Sequence, residues 1–377
     1  MRMTFLNKIV GSFTLFLLLV ILAPTHAVAA NSTLLKAKEE AWAKGYIYYT
    51  SHDEIVDLAK KEGKLRVISD LEPPNFKPLI IAFKQKYPFI SDIQVEEIQG
   101  TESSQRLLLE IKAGQAKGLD IVFMSDENAK EYMPYLMKHD IFGMAKQGVF
   151  KIDPRMIHPV ERNIIGYTST ISVVTYNRKL ISDDKVPAKW EDFLKPEFKG
   201  KKFVADLRPT WLSGLVPAWG LERTLEFARK LATQQPVWGS GGTRFNTALA
   251  AGEYSFFLSS NFSSAKRAMS RDRTGNLSYK IIEPIPARIV NQKSGILNTA
   301  DHPHAALLWL EFLASPEGQE IIDKYEPLRA SVFTPGSAVA REVRGKELSM
   351  LGWDHFTKFE EYSAKIFAAY GFPKVDK

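Results

Sequence analysis

Leu65-Arg66-Val67-Ile68 reads as a short strand that emerges onto a small polar residue, Ser69, and the next turn leads to Asn75 and a helical pattern. Phe76, Leu79, Ile80 and Phe83 fall at i, i+3, i+4 and i+7, one face of a helix that Asn75 can cap and Pro88 stops. A strand feeding an amphipathic helix is half of a βαβ unit, and the scheme repeats. A strand near Ile93–Ile98 precedes a helix from about Glu102 to Ala113, ended by Gly114, and then a strand at Asp120–Met124. Further on come a β-branched strand at Thr170–Tyr176, a short helix at Trp190–Leu194 and a strand at Lys202–Asp206. A helix from about Leu221 to Thr233, the loop Gly239-Ser240-Gly241-Gly242, a helix to Ala251 and a strand at Tyr254–Leu258 follow. The last strand lies near Ile296, and Asp301-His302-Pro303 opens a helix over Ala305–Leu313 with Asp301 as its expected cap. The pattern predicts an α/β protein with mostly parallel sheets.

The 377 residues include no cysteine, which excludes disulfides, thiol nucleophiles, iron–sulfur clusters and a lipid-carrying cysteine. The net charge of +7 is dispersed, without the basic runs that mark a nucleic-acid surface. Arg2 and Lys8 precede an apolar stretch, Ile9 to Ala23, and the small residues Ala27-Val28-Ala29-Ala30, the order of a secretory leader cut after Ala29. Loss of residues 1–29 lowers the net charge to +5, since Arg2 and Lys8 are the only charged residues removed. The expected location is the periplasm, as a free protein rather than a lipoprotein.

In open α/β sheets, ligands sit beyond the carboxyl ends of strands. The candidates on the first half are Ser69, Thr101, Ser103 and Ser125, all at expected strand exits. On the second half, Arg208 follows a strand end and Arg244 follows a Gly-rich loop at a helix start, where a guanidinium fork would grip a carboxylate or phosphate. Thr243 with the Gly241-Gly242 amides suits an anion nest, and Asn261, Ser263 and Trp211 complete the expected contacts. Arg267 and Arg288 are weaker candidates, having no clear strand-end or helix-start setting. His302 and His304 flank Pro303 and mimic a metal pair, but a helix start explains them better. Asp126-Glu127 suits a helix start and Asp183-Asp184 a turn, and no hydrolase motif is present. Neither a catalytic set nor a metal site nor a cofactor is expected.

Several stretches together resemble the extracellular solute-binding proteins of ABC importers, in the subgroup typified by ferric-iron-binding periplasmic proteins. They are Ala59-Lys60-Lys61-Glu62-Gly63-Lys64-Leu65, Ala82-Phe83-Lys84-Gln85-Lys86-Tyr87-Pro88, Trp190 through Gly200, Leu249-Ala250-Ala251-Gly252-Glu253-Tyr254, and Glu311 through Gln319. The resemblance implies a type II periplasmic-binding fold, with two α/β lobes and the ligand trapped between them. On it, 1–29 is the leader, 30–62 a helical extension, 63–175 the first lobe completed by about 286–330, 176–285 the second lobe, and 331–377 a helical tail. Iron-binding members look like Asn-Tyr-Tyr after the strand that follows Ala-Gly-Glu, whereas this chain reads Ser260-Asn261-Phe262-Ser263-Ser264. Without that phenolate pair, the expected ligand is a small organic anion, phosphorylated or carboxylated, delivered by a monomeric receptor to an inner-membrane permease. The alternatives are ferric iron or an iron chelate held by other ligands, beginning with Tyr46, Tyr48 and Tyr49, and an enzyme on the same scaffold.

Overall fold

The computed structural model describes residues 32–98, 100–125, 128–200, 202–290 and 293–372. The leader, and Asp126-Glu127, lie outside the described residues.

Twelve strands among the described residues form two sheets. The first sheet contains β1 (Lys64–Ser69), β2 (Asp92–Glu97), β3 (Ile121–Met124), β4 (Ile165–Gly166) and β11 (Lys293–Ile296), in the order β2-β1-β3-β11-β4. The second contains β5 (Thr170–Asn177), β6 (Phe203–Asp206), β7 (Val237–Gly239), β8 (Phe256–Asn261), β10 (Ile285–Arg288) and β12 (Leu348–Leu351), in the order β12-β10-β5-β8-β6-β7. There β9 (Leu277–Lys280) also pairs with the later half of β5.

Both sheets are mixed rather than mostly parallel. Strands β5 and β11 carry the chain from one lobe into the other, and each runs against its neighbours. The remaining expectations about boundaries shift for the same reason. Thr170–Asn177, read as the end of the first lobe, pairs in the second sheet, and so does Ile285–Arg288. The segment 331–377 is not simply a helical tail, because β12 pairs in parallel with β10 across some sixty residues of chain.

Helices cover the sheets by burying one face each. In α1 (His52–Glu62) Ile55 and Ala59 are buried, and in α2 (Phe76–Lys86) Leu79 and Phe83 are, four apart as the periodicity requires. Helix α3 (Gly100–Lys112) lies between β2 and β3. On the second lobe are α4 (Leu221–Thr233), α5 (Gly242–Ala251) and α6 (Phe262–Arg271). Helix α7 (Pro303–Ala314) is buried on every side over Ala305–Ala314 and forms the centre of the first core, where Trp309 meets Phe83 edge-on at 5.0 Å. Helix α8 (Pro316–Tyr325) follows it, and α9 (Phe359–Ala369) closes the second core against α4.

Two local expectations change. The helix Pro303–Ala314 is capped not by Asp301 but by Glu62 at the end of α1, whose carboxylate accepts from the His304 and Ala305 amides at 3.2 and 2.7 Å. Asn75 stands at the start of α2 without capping it, because its amide donates to Glu326 at 2.7 Å instead.

Among the described residues, the segments that run between the lobes include the link from β4 to β5, the residues Ile289 and Val290 after β10, and the stretch around Arg329. They are bound together at one point. The Ser169 amide donates to the Arg329 carbonyl, and the Ser169 hydroxyl donates to the Ile289 carbonyl and accepts from the Val332 amide.

Candidate functional site

Strands β1, β2 and β3 are parallel, so Asp70, Glu97 and Ser125 emerge together on one edge of the first sheet. In the second sheet β6, β8 and β10 end, and the opposed strand β5 begins, on one edge. There Thr170 stands opposite Arg288 and Ser172 opposite Asn261. The two edges face each other, which puts the unpaired ends of both sheets around a shared cleft.

A cavity of about 340 Å³ lies on the second-lobe side, lined by Thr170, Ser172, Asp206, Arg208, Ser259 and Arg288, with Trp211 and Asn261 beside them. A second cavity, of about 540 Å³, lies between the lobes. Its first-lobe wall carries Asp70, Glu97 and Ser125, its second-lobe wall carries Ser263 and Arg267, and Glu326 and Arg329 come from the joining segment. Arg208 and Asn261 line both cavities, so the two spaces meet at these residues.

Arg208 is held rather than loose. The buried Asp206 carboxylate accepts from the Arg208 amide at 2.9 Å, from Nε at 3.1 Å and from one terminal nitrogen at 2.7 Å. A bidentate, charge-assisted pair fixes the plane of the fork, while the Arg208 side chain as a whole stays exposed and lines both cavities. Behind it the Ser259 hydroxyl accepts from the Asp206 amide at 3.1 Å. Below, Thr175 donates to Asn246, whose amide donates to Ser260 at 2.9 Å, locking α5 to β5 and β8 in a buried network.

Asn261 accepts from the Ser263 amide at 3.0 Å and the Ser264 amide at 3.4 Å, the cap of α6. Phe262 is buried, with its ring 4.7 Å from that of Tyr279, and Ser263 lines the inter-lobe cavity. Trp211 lines the second-lobe cavity while its ring packs on Trp190 at 5.4 Å, and its indole N–H is buried without a partner.

On the opposite wall the Ser125 hydroxyl donates to Asn128 at 2.7 Å. Arg329 spans the cleft floor: one terminal nitrogen donates to Thr170 at 3.2 Å, the other lies 3.6 Å from Asp70, and Nε lies 3.8 Å from Glu326. Burial pushes the Glu326 carboxyl up from its usual range, despite Arg329 and Arg267 close by. Glu72 and Arg267 form an ion pair from one lobe to the other.

Other sequence candidates sit elsewhere. Ser69 is buried, with its hydroxyl accepting from the Leu71 amide, because the strand carries one residue further before it opens into the cleft at Asp70. Ser103 lines neither cavity; its neighbour Ser104 is turned inward to Asn128 and Tyr132. Thr101 lies in the first turn of α3, and its side chain is outside the described residues. Thr243 lines a separate groove between α5 and α6, and Arg244 is exposed and lines neither cleft cavity. The turn before α5 explains this. Gly241, at φ +105°, takes a conformation only glycine tolerates, and the helix it starts points Arg244 outward.

The weaker candidates Arg267 and Arg288 do line the cleft, and Asp70, Glu72, Glu97, Glu326 and Arg329 join them without having been singled out. Tyr49 donates to or accepts from His304 at 2.7 Å at the start of α7. That helix follows β11, whose end, Ile296, pairs with Ile121 at the start of β3, so Tyr49 lies at the sheet edge away from the cleft. Tyr48 is buried in the first core and Tyr46 reaches the Val160 carbonyl.

The sequence profile of the bacterial extracellular solute-binding proteins matches residues 122–358. The chain belongs to this family. Among solved structures, this solute-binding protein is similar to the apo ferric ion-binding protein A of Pasteurella haemolytica, at 15% identity and a TM-score of 0.63 over 84% of this chain and 100% of that one. Iron-bound HitA of Pseudomonas aeruginosa is similar at 17% identity and a TM-score of 0.59, over 82% and 99%. The Trichodesmium protein IdiA, or FutA, in complex with iron and citrate gives 17% and 0.60, over 82% and 100%. The structural likeness shows the two-lobed type II fold. No curated protein matches the sequence. The family is one of binding proteins of the ABC-transporter type, not enzymes. No helix among the described residues is long and apolar enough to cross a membrane.

Proposed function

We propose that the protein is the periplasmic receptor of an ABC importer, capturing a small organic anion in the cleft and presenting the closed form to an inner-membrane permease. The observation that carries this reading is the Arg208 fork, fixed by Asp206 at the point where the two cavities meet. Arg288 and the hydroxyls of Thr170, Ser172 and Ser259 surround the space in front of it. These are the groups that replace the hydration of a phosphate, phosphonate or carboxylate. Ser125, Asn261, Ser263 and Trp211 supply the remaining contacts, and contacts from both walls exist only when the lobes are together, so ligand shifts the equilibrium toward closure. The mature chain begins after Ala29, residues 30–62 are an extension on the first lobe, and the receptor works as a monomer.

Two of the similar structures hold iron, one of them with citrate. Here Phe262 and Ser263 occupy the stretch expected to carry a phenolate pair, and no cluster of three or more His, Asp or Glu suited to a metal ion occurs among the described residues. A thermal-unfolding screen of the refolded, ligand-stripped protein separates the readings. Ligand at about a thousand times its dissociation constant adds roughly 4 kcal/mol, a clear rise in melting temperature. Stabilisation by phosphonates, sugar phosphates or small carboxylates and not by ferric ion with carbonate supports the anion reading. Stabilisation by iron alone overturns it, and ferric citrate tests the chelate.

A further inference from the structure

We infer that the groove between α5 and α6 is the outer end of the ligand's entry path, a steering site where arginines draw a small anion toward the cleft. This rests on the anion reading above and adds how the anion arrives. The groove, of about 500 Å³, is lined by Thr243 of α5 and by Arg267, Arg271 and Arg273 of α6 and the turn after it. Glu72, Ser264 and Arg267 line both this groove and the inter-lobe cavity, so the two spaces abut at the Glu72–Arg267 ion pair. Arg267 shares the inter-lobe cavity with Arg208, and Arg208 shares the next with Arg288. The guanidiniums thus form a continuous series along the second lobe, from its surface to the seat proposed for the anion. The carboxylates that line the inter-lobe cavity, Asp70, Glu97 and Glu326, all have partners of their own.

The charge balance of the groove is positive and grows as the lobes part. With the lobes together, three guanidiniums stand with two carboxylates, Glu72 and Asp272. Asp272 is committed to its own turn, accepting from the Thr274 amide and hydroxyl at 2.9 and 2.6 Å and from the Leu277 amide at 2.8 Å. Glu72 belongs to the first lobe and leaves with it on opening, so three guanidiniums then stand with one carboxylate. Arg267 and Arg271 are i and i+4 on α6, where like charges repel. Burial, and then the Arg271 and Arg329 charges, lower the Arg267 pKa against Glu326. Arg271 and Arg273 are exposed, and neither has a carboxylate partner among the described residues. Charges on the rim of a site act on the encounter rather than on the bound state: they raise the association rate, and salt screens them.

The test is stopped-flow mixing of the ligand-stripped full chain with propylphosphonate, glycerol phosphate and citrate, followed by tryptophan emission. For each anion that binds, Arg271→Gln/Arg273→Gln is expected to slow association about twofold or more at about 0.1 M ionic strength, where fields reach about 10 Å, and to leave dissociation unchanged. In about 1 M salt the difference should vanish. Arg229→Gln/Lys230→Gln removes the same charge from α4, whose residues line none of the three cavities, and should leave the association rate near that of the parent chain. An unchanged association rate in the groove variant, equal slowing in the α4 variant, slowing that persists in high salt, or a faster dissociation overturns the entry path and leaves the anion reading standing. Failure of all three anions to bind overturns both.

Discussion

Arg267, on α6 of the second lobe, pairs with Glu72, just beyond β1 of the first, so one ion pair crosses the mouth of the cleft. Both side chains are about one-third exposed, and Arg267 also lies beside Arg329 and Glu326. The contact exists only while the lobes are together, so it favours the closed form without any ligand. A pair this exposed contributes up to about 1 kcal/mol. Removing it with Glu72→Gln or Arg267→Gln is therefore expected to shift the closed-to-open ratio by up to about fivefold. Small-angle scattering of the ligand-free protein should show a larger radius of gyration in either variant, with recovery in the charge-swapped Glu72→Arg/Arg267→Glu double variant. An unchanged radius in both single variants would remove the pair from the closing equilibrium.

The positions of Arg208 and Arg244 separate two arginines that the sequence treats alike. Arg208→Ala is expected to weaken an anionic ligand by tenfold or more, the scale of a lost charge-assisted contact of about 1.5–3 kcal/mol. Arg208→Lys should rescue only part of it, since an ammonium cannot reproduce the two-pronged geometry. Arg244→Ala should leave affinity unchanged. Titration of each variant with the ligand found by the screen decides, and a large loss in Arg244→Ala would move the site toward α5.

How much of this was legible follows from how local each signal is. The β1–α2 unit is readable because the strand, the 3.6-residue face and the Pro88 stop all lie within twenty-five residues. Strands β9, β10 and β12 are four residues each and show no period, and β12 finds its partner far back in the chain, so sequence reading passes over them. The second-lobe arginine was visible because a guanidinium at a strand end is conspicuous. The cleft carboxylates were not, because Asp70, Glu97 and Glu326 come from three separate segments, and each alone resembles a turn or helix-start residue. The signal that would have found Asp70 and Glu97 is the same strand-exit rule that singled out Ser69. Applied to carboxylates one residue further on, it reaches the cleft, where Ser69 itself turns into the interior.

Glu62 gives the clearest stability prediction outside the cleft. Its carboxylate accepts from the first free amides of the most deeply buried helix and from His304 Nδ1 at 2.5 Å. Glu62→Ala is expected to cost about 1–2 kcal/mol, the range for a lost helix cap. Denaturant unfolding measures it. Ligand affinity should not change, because the cap lies at the sheet edge away from the cleft.

Acid should destabilise the fold through His139. This imidazole is buried beneath the N-terminal segment, with its ring 6.1 Å from that of Tyr49, and neither ring nitrogen has a hydrogen-bond partner. Burial, reinforced by His304, lowers its pKa to about 3. His158 is lowered to about 4, by burial alone. In both cases the folded state keeps the imidazole neutral, while the unfolded chain takes up a proton near pH 6.5. The unfolded state thus binds more protons below that pH, and stability falls as pH is lowered. The loss begins near pH 6.5 and grows until each folded-state value is passed, near 4 for His158 and 3 for His139. At pH 5 each imidazole should cost on the order of 2 kcal/mol. Melting temperature measured from pH 8 to pH 4 should show a plateau above about pH 7 and a steady fall below it. His139→Phe, which fills the same space without a titrating group, should flatten part of that fall. A slope identical to that of the parent chain would mean that His139 is protonated in the folded state and that water or a partner reaches its ring.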